Sequence, residues 1–119
     1  MDEWFITFTC NFLNGSNDQI GRMMEGLHTV CGYSTDMTVT ANAGDLMASK
    51  LKSGMSVKEA YFSYAKQTQS KKSKNTACVF TTKTLANDHI WGYGTVGSDP
   101  TPYSKSKSGY IKYSYRCNW

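Results

Sequence analysis

The fold class is decided by Trp4-Phe5-Ile6-Thr7-Phe8-Thr9-Cys10, a stretch of aromatic and β-branched residues with little strict alternation between apolar and polar positions. Runs of this kind are typical of strands that are covered on both faces, as in a parallel sheet flanked by helices. The turn-forming sequence Asn14-Gly15-Ser16-Asn17 follows and ends the run. We therefore predict a buried first strand that ends at Cys10.

A short helix and a second buried strand are predicted after this turn. Ser16 or Asn17 can cap a helix that runs through Glu25 and ends at Gly26. Residues 27–33 are again mostly apolar and predict the second strand. Because a strand-helix-strand unit joins parallel strands by a right-handed crossover, the first two strands are expected to be parallel neighbours.

Two more helices are predicted in the middle of the chain. Apolar residues recur at helical spacing over residues 43–52, and Gly54 terminates that pattern. The sequence Ser56-Val57-Lys58-Glu59 then has the capping-box pattern that precedes a helix. Apolar and aromatic residues follow on one face of this second helix, which indicates that both helices pack against a sheet.

The last third of the chain contains two predicted strands and a long irregular segment. Residues 76–82 predict a buried strand, and residues 110–115 alternate as in an edge strand with one wet face. Residues 85–109, rich in glycine and proline, lie between them. We predict a single α/β domain over residues 1–119, with a mostly parallel sheet flanked by helices.

Charge and hydropathy exclude several classes of partner. The formal net charge is +4, from 13 basic and 9 acidic residues. Lysines cluster among serines in 71–74 and 105–107, which favours solvated loops over a nucleic-acid groove lined by alternating basic and aromatic residues. Because there is no run of about 18 apolar residues and no basic region at the start, we predict neither a membrane span nor a signal peptide.

The cysteines do not point to a metal site. The chain has 4 of them, at positions 10, 31, 78 and 117, without the short spacing that zinc ligands usually show. No Gly-rich phosphate loop or Ser-His-Asp spacing is present, so no cofactor is predicted. Three cysteines lie in apolar runs that favour burial of a free thiol, and in a secreted protein four would allow three pairings. The composition, rich in Ser, Thr, Asn and Tyr, favours an extracellular location.

Three motifs follow one another along the first half of the chain. They are the strand that ends in Cys10-Asn11, the run from Gly26 to Ser34, and the helical stretch from Ala43 to Tyr61. Together they resemble the part of caspase-like (clan CD) domains that begins at the catalytic-cysteine strand. The run Thr29-Val30-Cys31-Gly32-Tyr33-Ser34 is similar to the strand that follows the caspase cysteine.

A second set of motifs pairs the tryptophan-led strand from Trp4 to Cys10 with Gly26-Leu27-His28 and a late Trp91-Gly92-Tyr93-Gly94. In this the chain is similar, over residues 4–102, to an uncharacterised family of caspase-like domains in bacteria and archaea. The resemblance implies a caspase-like three-layer sandwich that lacks its first strands. It also implies that the histidine on the strand before the cysteine is missing, so the chain is either a fragment or subunit, or a reduced domain.

Cys10 is the candidate nucleophile if the domain is catalytic. It ends a predicted strand, and ligands of α/β sheets bind beyond the carboxyl ends of strands. Packing beneath the turn that follows is its alternative role. His28 begins a strand, whereas Cys10 ends a parallel neighbour, so we expect them at opposite edges of the sheet, beyond hydrogen-bond reach. We predict His28 to be a buried structural histidine.

Four other residues are candidates for binding a peptide or another ligand. Ser34 and Asp36 follow the second strand and are predicted to lie near Cys10. His89 could reach the same edge, with Asp88 orienting its ring, although a surface histidine beside Trp91 is the simpler interpretation. Trp91 itself is either a binding residue or an anchor that packs the late segment.

Two functions remain open from the sequence. The first is a noncatalytic binding or structural domain that pairs its open sheet edge with a second copy or another chain. The second is a caspase-like cysteine peptidase in which Cys10 is the nucleophile and the histidine comes from upstream sequence or from another chain. We favour the first for this chain, because nothing within it completes a catalytic pair.

Overall fold

The computed structural model describes residues 4–24, 27–38, 40–69 and 74–117, which form a mixed α/β fold. Four strands form one sheet in the order β1-β2-β3-β4. The strands are β1 Trp4–Ile6, β2 Thr29–Tyr33, β3 Thr76–Thr82 and β4 Tyr110–Arg116. The helices are α1 Asn17–Gly21, α2 Ala43–Lys52 and α3 Val57–Thr68, with short 3₁₀ turns at Thr84–Asn87 and Lys107–Gly109.

The sheet is not mostly parallel, so that part of the predicted fold class was wrong. Only β1 and β2 are parallel, with Trp4 opposite Thr29, whereas β3 runs antiparallel to both β2 and β4. The physical reason is the pair of helices between β2 and β3. A single helix would return the chain to the end of the sheet where β2 begins, and the next strand would then be parallel. Helices α2 and α3 together return the chain to the end where β2 stops, so β3 runs antiparallel. The Ser34 amide accordingly donates to the Thr76 carbonyl at 3.1 Å.

Both faces of the two central strands, β2 and β3, are covered, whereas the outer strands are only partly buried. Helices α2 and α3 pack on one face, and α1 packs on the other with the segment that precedes β4. The first core includes Cys31, Tyr33, Met47, Leu51, Tyr61, Tyr64, Ala77 and Val79. The second includes Leu13, Ile20, Met24, Val30, Cys78, Phe80, Tyr103 and Tyr110. The adjacent strand residues therefore alternate between two cores, as expected for strands buried on both sides.

Capping residues explain where the helices begin. Ser16 and Gln19 form a reciprocal capping box at α1, and the Ser56 hydroxyl accepts the Glu59 amide at 3.2 Å at the start of α3. The helix α2 ends before Gly54, whose φ of +100° is a conformation that glycine adopts without strain. These signals were readable in the sequence, and the predicted limits of α2 and β3 are confirmed.

The first strand is shorter and less buried than predicted, since none of its residues is buried and Phe5 is 44% exposed; the first helix is also shorter than predicted. β1 ends at Ile6, and its hydrogen bonding with β2 continues to Thr7, whose amide donates to the Cys31 carbonyl at 3.0 Å. The Tyr61 hydroxyl then donates to the Thr7 carbonyl at 2.7 Å, which draws the chain out of the ladder. Helix α1 ends at Gly21, and the predicted terminus at Glu25 and Gly26 lies outside the described residues.

Three of the four cysteines are buried, and Cys10 is exposed. Burial raises the pKa of the Cys31 and Cys117 thiols, because a thiolate is poorly solvated in an apolar core. All four thiols are free. No helix in the described part of the chain is long and apolar enough to cross a membrane. The lysines at 71 and 72 lie outside the described ranges.

Candidate functional site

The exposed Cys10 lies where the parallel pair β1 and β2 ends. Its Sγ accepts a hydrogen bond from the Met37 backbone amide at 3.3 Å and lies 3.7 Å from the Met37 carbonyl. These two contacts with the Met37 backbone hold the Cys10 side chain in place. The structure thus puts Cys10 at the carboxyl rim of the parallel pair.

The loops after β1 and β2 are joined at this rim. Asn11 has a φ of +56°, and its amide donates to the Thr35 carbonyl at 2.9 Å. Its side-chain Nδ2 donates to Asp36 Oδ1 at 2.8 Å. Asparagine tolerates the left-handed conformation better than most residues, so the turn and the side-chain contact form together. Cys10, Asp36 and, at the end of β2, Ser34 therefore share one rim, as their order in the sequence predicted.

Neither histidine lies at this rim. The His28 ring lies 6.1 Å from the Trp4 ring, at the end of the sheet where β1 and β2 begin, and His89 follows β3. Because β3 is antiparallel to β2, the residues that follow β3 lie near the start of β2 and far from its end. The structure therefore brings together Cys10, Ser34 and Asp36, and it places His89 and Trp91 at the opposite rim.

That opposite rim is organised by the buried Asp88. Its Oδ2 accepts the indole N–H of Trp4 at 2.7 Å, and its Oδ1 accepts the Gly97 amide at 2.6 Å. Its backbone carbonyl accepts the Val57 amide at 2.7 Å, at the start of α3. One residue thus ties β1, α3 and the late segment to each other.

His28 completes this cluster between two carboxylates. Its Nδ1 lies 3.0 Å from Asp88 Oδ2 and its Nε2 lies 2.8 Å from Asp99 Oδ1. The ring is 1% exposed, so His28 is the buried, hydrogen-bonded histidine that its position predicted. Within the described ranges, no three His, Cys, Asp or Glu side chains are arranged to hold a metal ion.

His89 and Trp91 flank the Asp88 cluster. The His89 amide donates to the Thr95 carbonyl at 2.8 Å, and its buried Nδ1 has no partner among the described residues. Asp88 is directed at His28 and so does not orient the His89 ring. Trp91 is 64% exposed and contacts the Trp4 ring edge-on at 6.4 Å, so it covers Trp4 from outside.

An apolar surface lies next to the outer strand β1. Phe5 stacks on Phe12 at 5.5 Å, and the exposed fractions of Phe5 and Met23 are 44% and 40%. With Leu27 and Val30 these side chains line a cavity of about 220 Å³. We call these five residues the edge patch. It lies on the α1 side of the sheet, beside a strand that pairs only with β2 in the described part of the chain.

Sequence reasoning missed Asp88 and Asp99 as partners of His28, and it missed the edge patch. Asp88 lies 60 positions from His28, and Asp99 lies 71 positions away. Nothing local in the sequence signals such a pairing, because both acids lie in the irregular segment. The one usable signal was a histidine in an otherwise apolar strand, since a buried imidazole needs a polar partner.

The chain belongs to the family described as "Domain of unknown function (DUF6345)", whose model matches residues 2–114. No curated protein matches the chain. No solved structure matches it either. The family membership therefore covers both rims and the edge patch without assigning an activity to any of them.

Proposed function

We propose that this member of the DUF6345 family is a noncatalytic, caspase-like binding module that pairs the outer edge of β1 with the same strand of a second copy. The observation that carries the proposal is that β1 is the outer strand of the described sheet and is flanked by the partly exposed edge patch. An outer strand with apolar side chains readily pairs with another chain.

The hydrogen-bond register identifies the backbone groups that a partner strand would use. The Thr7 amide donates to β2, and in a strand the groups of alternate residues point to the same side. Phe5 and Thr7 therefore direct their amides to β2, whereas Trp4 and Ile6 direct theirs to the outer edge. The outward-facing groups of Trp4 and Ile6 therefore alternate along β1 in the order that a β-ladder requires.

A second copy suits this edge because the edge carries no charge. Residues 4–13 contain no acidic or basic side chain, so two copies do not bring like charges together there. A two-fold axis would pair the two β1 strands antiparallel and bring Phe5 of each copy over the edge patch of the other. β1 has 3 residues, so we expect a weak dimer, with Kd on the order of micromolar.

A pair of matched variants tests this proposal. Phe5→Lys introduces a charge at the outer edge, and Ile111→Lys does the same at a 37% exposed residue of β4, the opposite outer strand. In sedimentation equilibrium over a concentration series, we expect Phe5→Lys to raise the dimer Kd at least about tenfold. Ile111→Lys should leave it unchanged. A wild-type chain that stays monomeric at millimolar concentration would refute the proposal, as would equal effects of both variants.

A backbone substitution separates strand pairing from simple apolar contact. Cys10 allows a synthetic segment of residues 1–9 to be ligated to residues 10–119, with an N-methyl group on Ile6. This change removes an outward N–H while leaving every side chain in place. We expect the dimer to weaken as it does in Phe5→Lys. A dimer of unchanged Kd would show that the interface does not use the β1 ladder.

A second candidate function is a cysteine peptidase with Cys10 as the nucleophile and a histidine supplied from outside this chain. What favours it is the position of the exposed Cys10 at the rim where a strand added along β1 would also end. The test is the rate of alkylation of Cys10 with and without a competing thiol, compared with a free-thiol peptide. A rate no higher than that of the peptide would exclude an activated nucleophile in the isolated chain.

A further inference from the structure

Each ring nitrogen of His28 lies within hydrogen-bond distance of a carboxylate oxygen. Asp88 faces Nδ1 at 3.0 Å and Asp99 faces Nε2 at 2.8 Å. An ionised carboxylate only accepts hydrogen bonds, and a neutral imidazole has a single N–H to donate. The two contacts can both be hydrogen bonds to ionised carboxylates only if the ring carries a proton on each nitrogen.

The two carboxylates differ in how easily they can leave the ring. The Asp88 side chain is 1% exposed and is also held by the Trp4 indole and the Gly97 amide. The Asp99 side chain is 71% exposed, so water can replace the His28 N–H as its donor. When the ring loses one proton, the remaining N–H stays with the buried Asp88. Asp99 then faces a nitrogen lone pair, which repels its negative charge.

We propose that His28 is a proton-operated clamp on the segment that carries Asp99. The protonated ring holds Asp99 and, through it, the wall formed by Pro100 and Thr101 in a cleft of about 450 Å³. The neutral ring releases Asp99 and opens that wall. Because imidazole changes its charge between about pH 5 and 8, the clamp is closed in acid and open in mild alkali.

The groups around the ring come from several elements, and they leave Asp99 as the part that moves. β1 contributes the neutral Trp4 indole, and β3 contributes the Thr81 hydroxyl, which donates to the His28 carbonyl at 2.8 Å. Among the described residues, charged or titratable groups near the ring include Asp88 and Asp99 themselves, Lys83 on the cleft that Asp99 lines, and His89 next to Asp88.

The test is an NMR titration of the full chain from roughly pH 5 to 9, a range that spans histidine protonation. The chain has 2 histidines, so His89→Gln leaves His28 as the single imidazole. We expect the Asp99 and Thr101 resonances to shift with the midpoint of the His28 ring. The Gly97 amide, which donates a hydrogen bond to Asp88, should keep its protection from hydrogen exchange over the whole pH range.

Two variants of the exposed Asp99 identify the cause of this shift. In Asp99→Asn the side-chain amide can accept from an N–H or donate to a lone pair, so it holds the ring in either state and the transition at Thr101 should disappear. In Asp99→Ala, Thr101 should show the open-state shift at every pH. The proposal is overturned if the Thr101 resonance does not shift with pH, if His28 does not titrate in this range, or if the Thr101 transition persists in Asp99→Asn. Each readout is independent of dimerisation and can be repeated in the Phe5→Lys background.

Discussion

The carboxylate of Asp88 accepts the indole N–H of Trp4 at 2.7 Å, although the two residues are 84 positions apart in the sequence. The contact joins the first residue of β1 to the segment that follows β3. It explains how a strand of 3 residues is held at the edge of the sheet. The stability of β1 therefore depends on a buried acid that lies outside every strand.

We predict that Asp88→Ala lowers the free energy of unfolding by about 3–5 kcal/mol, because it leaves several buried donors without an acceptor. Trp4→Phe should have a smaller effect, about 1.5–3 kcal/mol, since it removes one donor to a charged group. Urea denaturation with an unchanged m-value would measure both. Asp45→Ala, at an exposed acid in the first turn of α2, is the control and should change the free energy by at most about 1 kcal/mol. Equal losses in Asp88→Ala and Asp45→Ala would contradict the assigned role.

Two helical glycines should respond in opposite directions to the same substitution. A Cβ at Gly21 would lie 2.4 Å from the Tyr103 ring, whereas a Cβ at Gly44 would meet nothing within 4 Å. We expect Gly21→Ala to destabilise the fold by about 1–3 kcal/mol through overpacking. Gly44→Ala should stabilise it by about 0.5–1 kcal/mol, since alanine loses less backbone entropy in a helix. Thermal denaturation of both variants decides this, and two changes of the same sign would show that the Tyr103 contact is not tight.

The same substitution should alter the titration of Asp18. The Tyr103 hydroxyl donates to Asp18 Oδ1 at 2.7 Å and is the main cause that holds the pKa of that carboxyl below 3.8. A lowered pKa in the folded state stabilises the fold above the unfolded value, and this contribution disappears as the pH falls through the lowered value. In Gly21→Ala the displaced ring should let the Asp18 pKa rise towards 3.8, as read from its carboxyl carbon by NMR. An unchanged pKa would mean that Tyr103 keeps its bond.

The sequence predicted the elements of this fold better than their arrangement. Periodicity and capping residues set the limits of α2 and β3, because those signals lie within a few residues of one another. The prediction of a mostly parallel sheet was wrong, since the direction of β3 depends on how two helices fold back and not on any local pattern. For the site, the positions of Cys10 and Asp36 after neighbouring strands correctly predicted that they share a rim. The pairing of His28 with Asp99 could not be predicted, because Asp99 lies in an irregular segment far from His28 in the sequence.

Gln69 at the end of α3 should be needed to hold the loop that carries the Cys10 rim. Its Oε1 accepts the Thr38 amide at 2.7 Å and the Asn75 side-chain amide at 2.6 Å. Gln69→Leu keeps the volume but leaves these donors unpaired, which should destabilise the fold by about 2–4 kcal/mol. The exposed Gln67 on the same helix provides the control, and Gln67→Leu should change stability by less than about 0.5 kcal/mol. Faster hydrogen exchange at Thr38 in Gln69→Leu alone would locate the effect in this loop.

The four thiols should differ sharply in their reactivity towards iodoacetamide. Cys10 is exposed, whereas Cys31 and Cys117 are buried and burial raises the pKa of both thiols. Since the thiolate is the reacting species, the folded chain at pH 8 should be alkylated at Cys10 first. Peptide mass spectrometry over a time course would measure the order of labelling.

In Cys10→Ser, labelling of the remaining thiols should fall to the rate at which the chain opens, and it should rise with added urea as the fold is lost. Cys78, buried beside β4, provides a further internal comparison because its Sγ lies 3.5 Å from the Ser114 hydroxyl. Alkylation of Cys31 or Cys78 in the folded chain at a rate close to that of Cys10 would contradict the two-sided burial of the sheet.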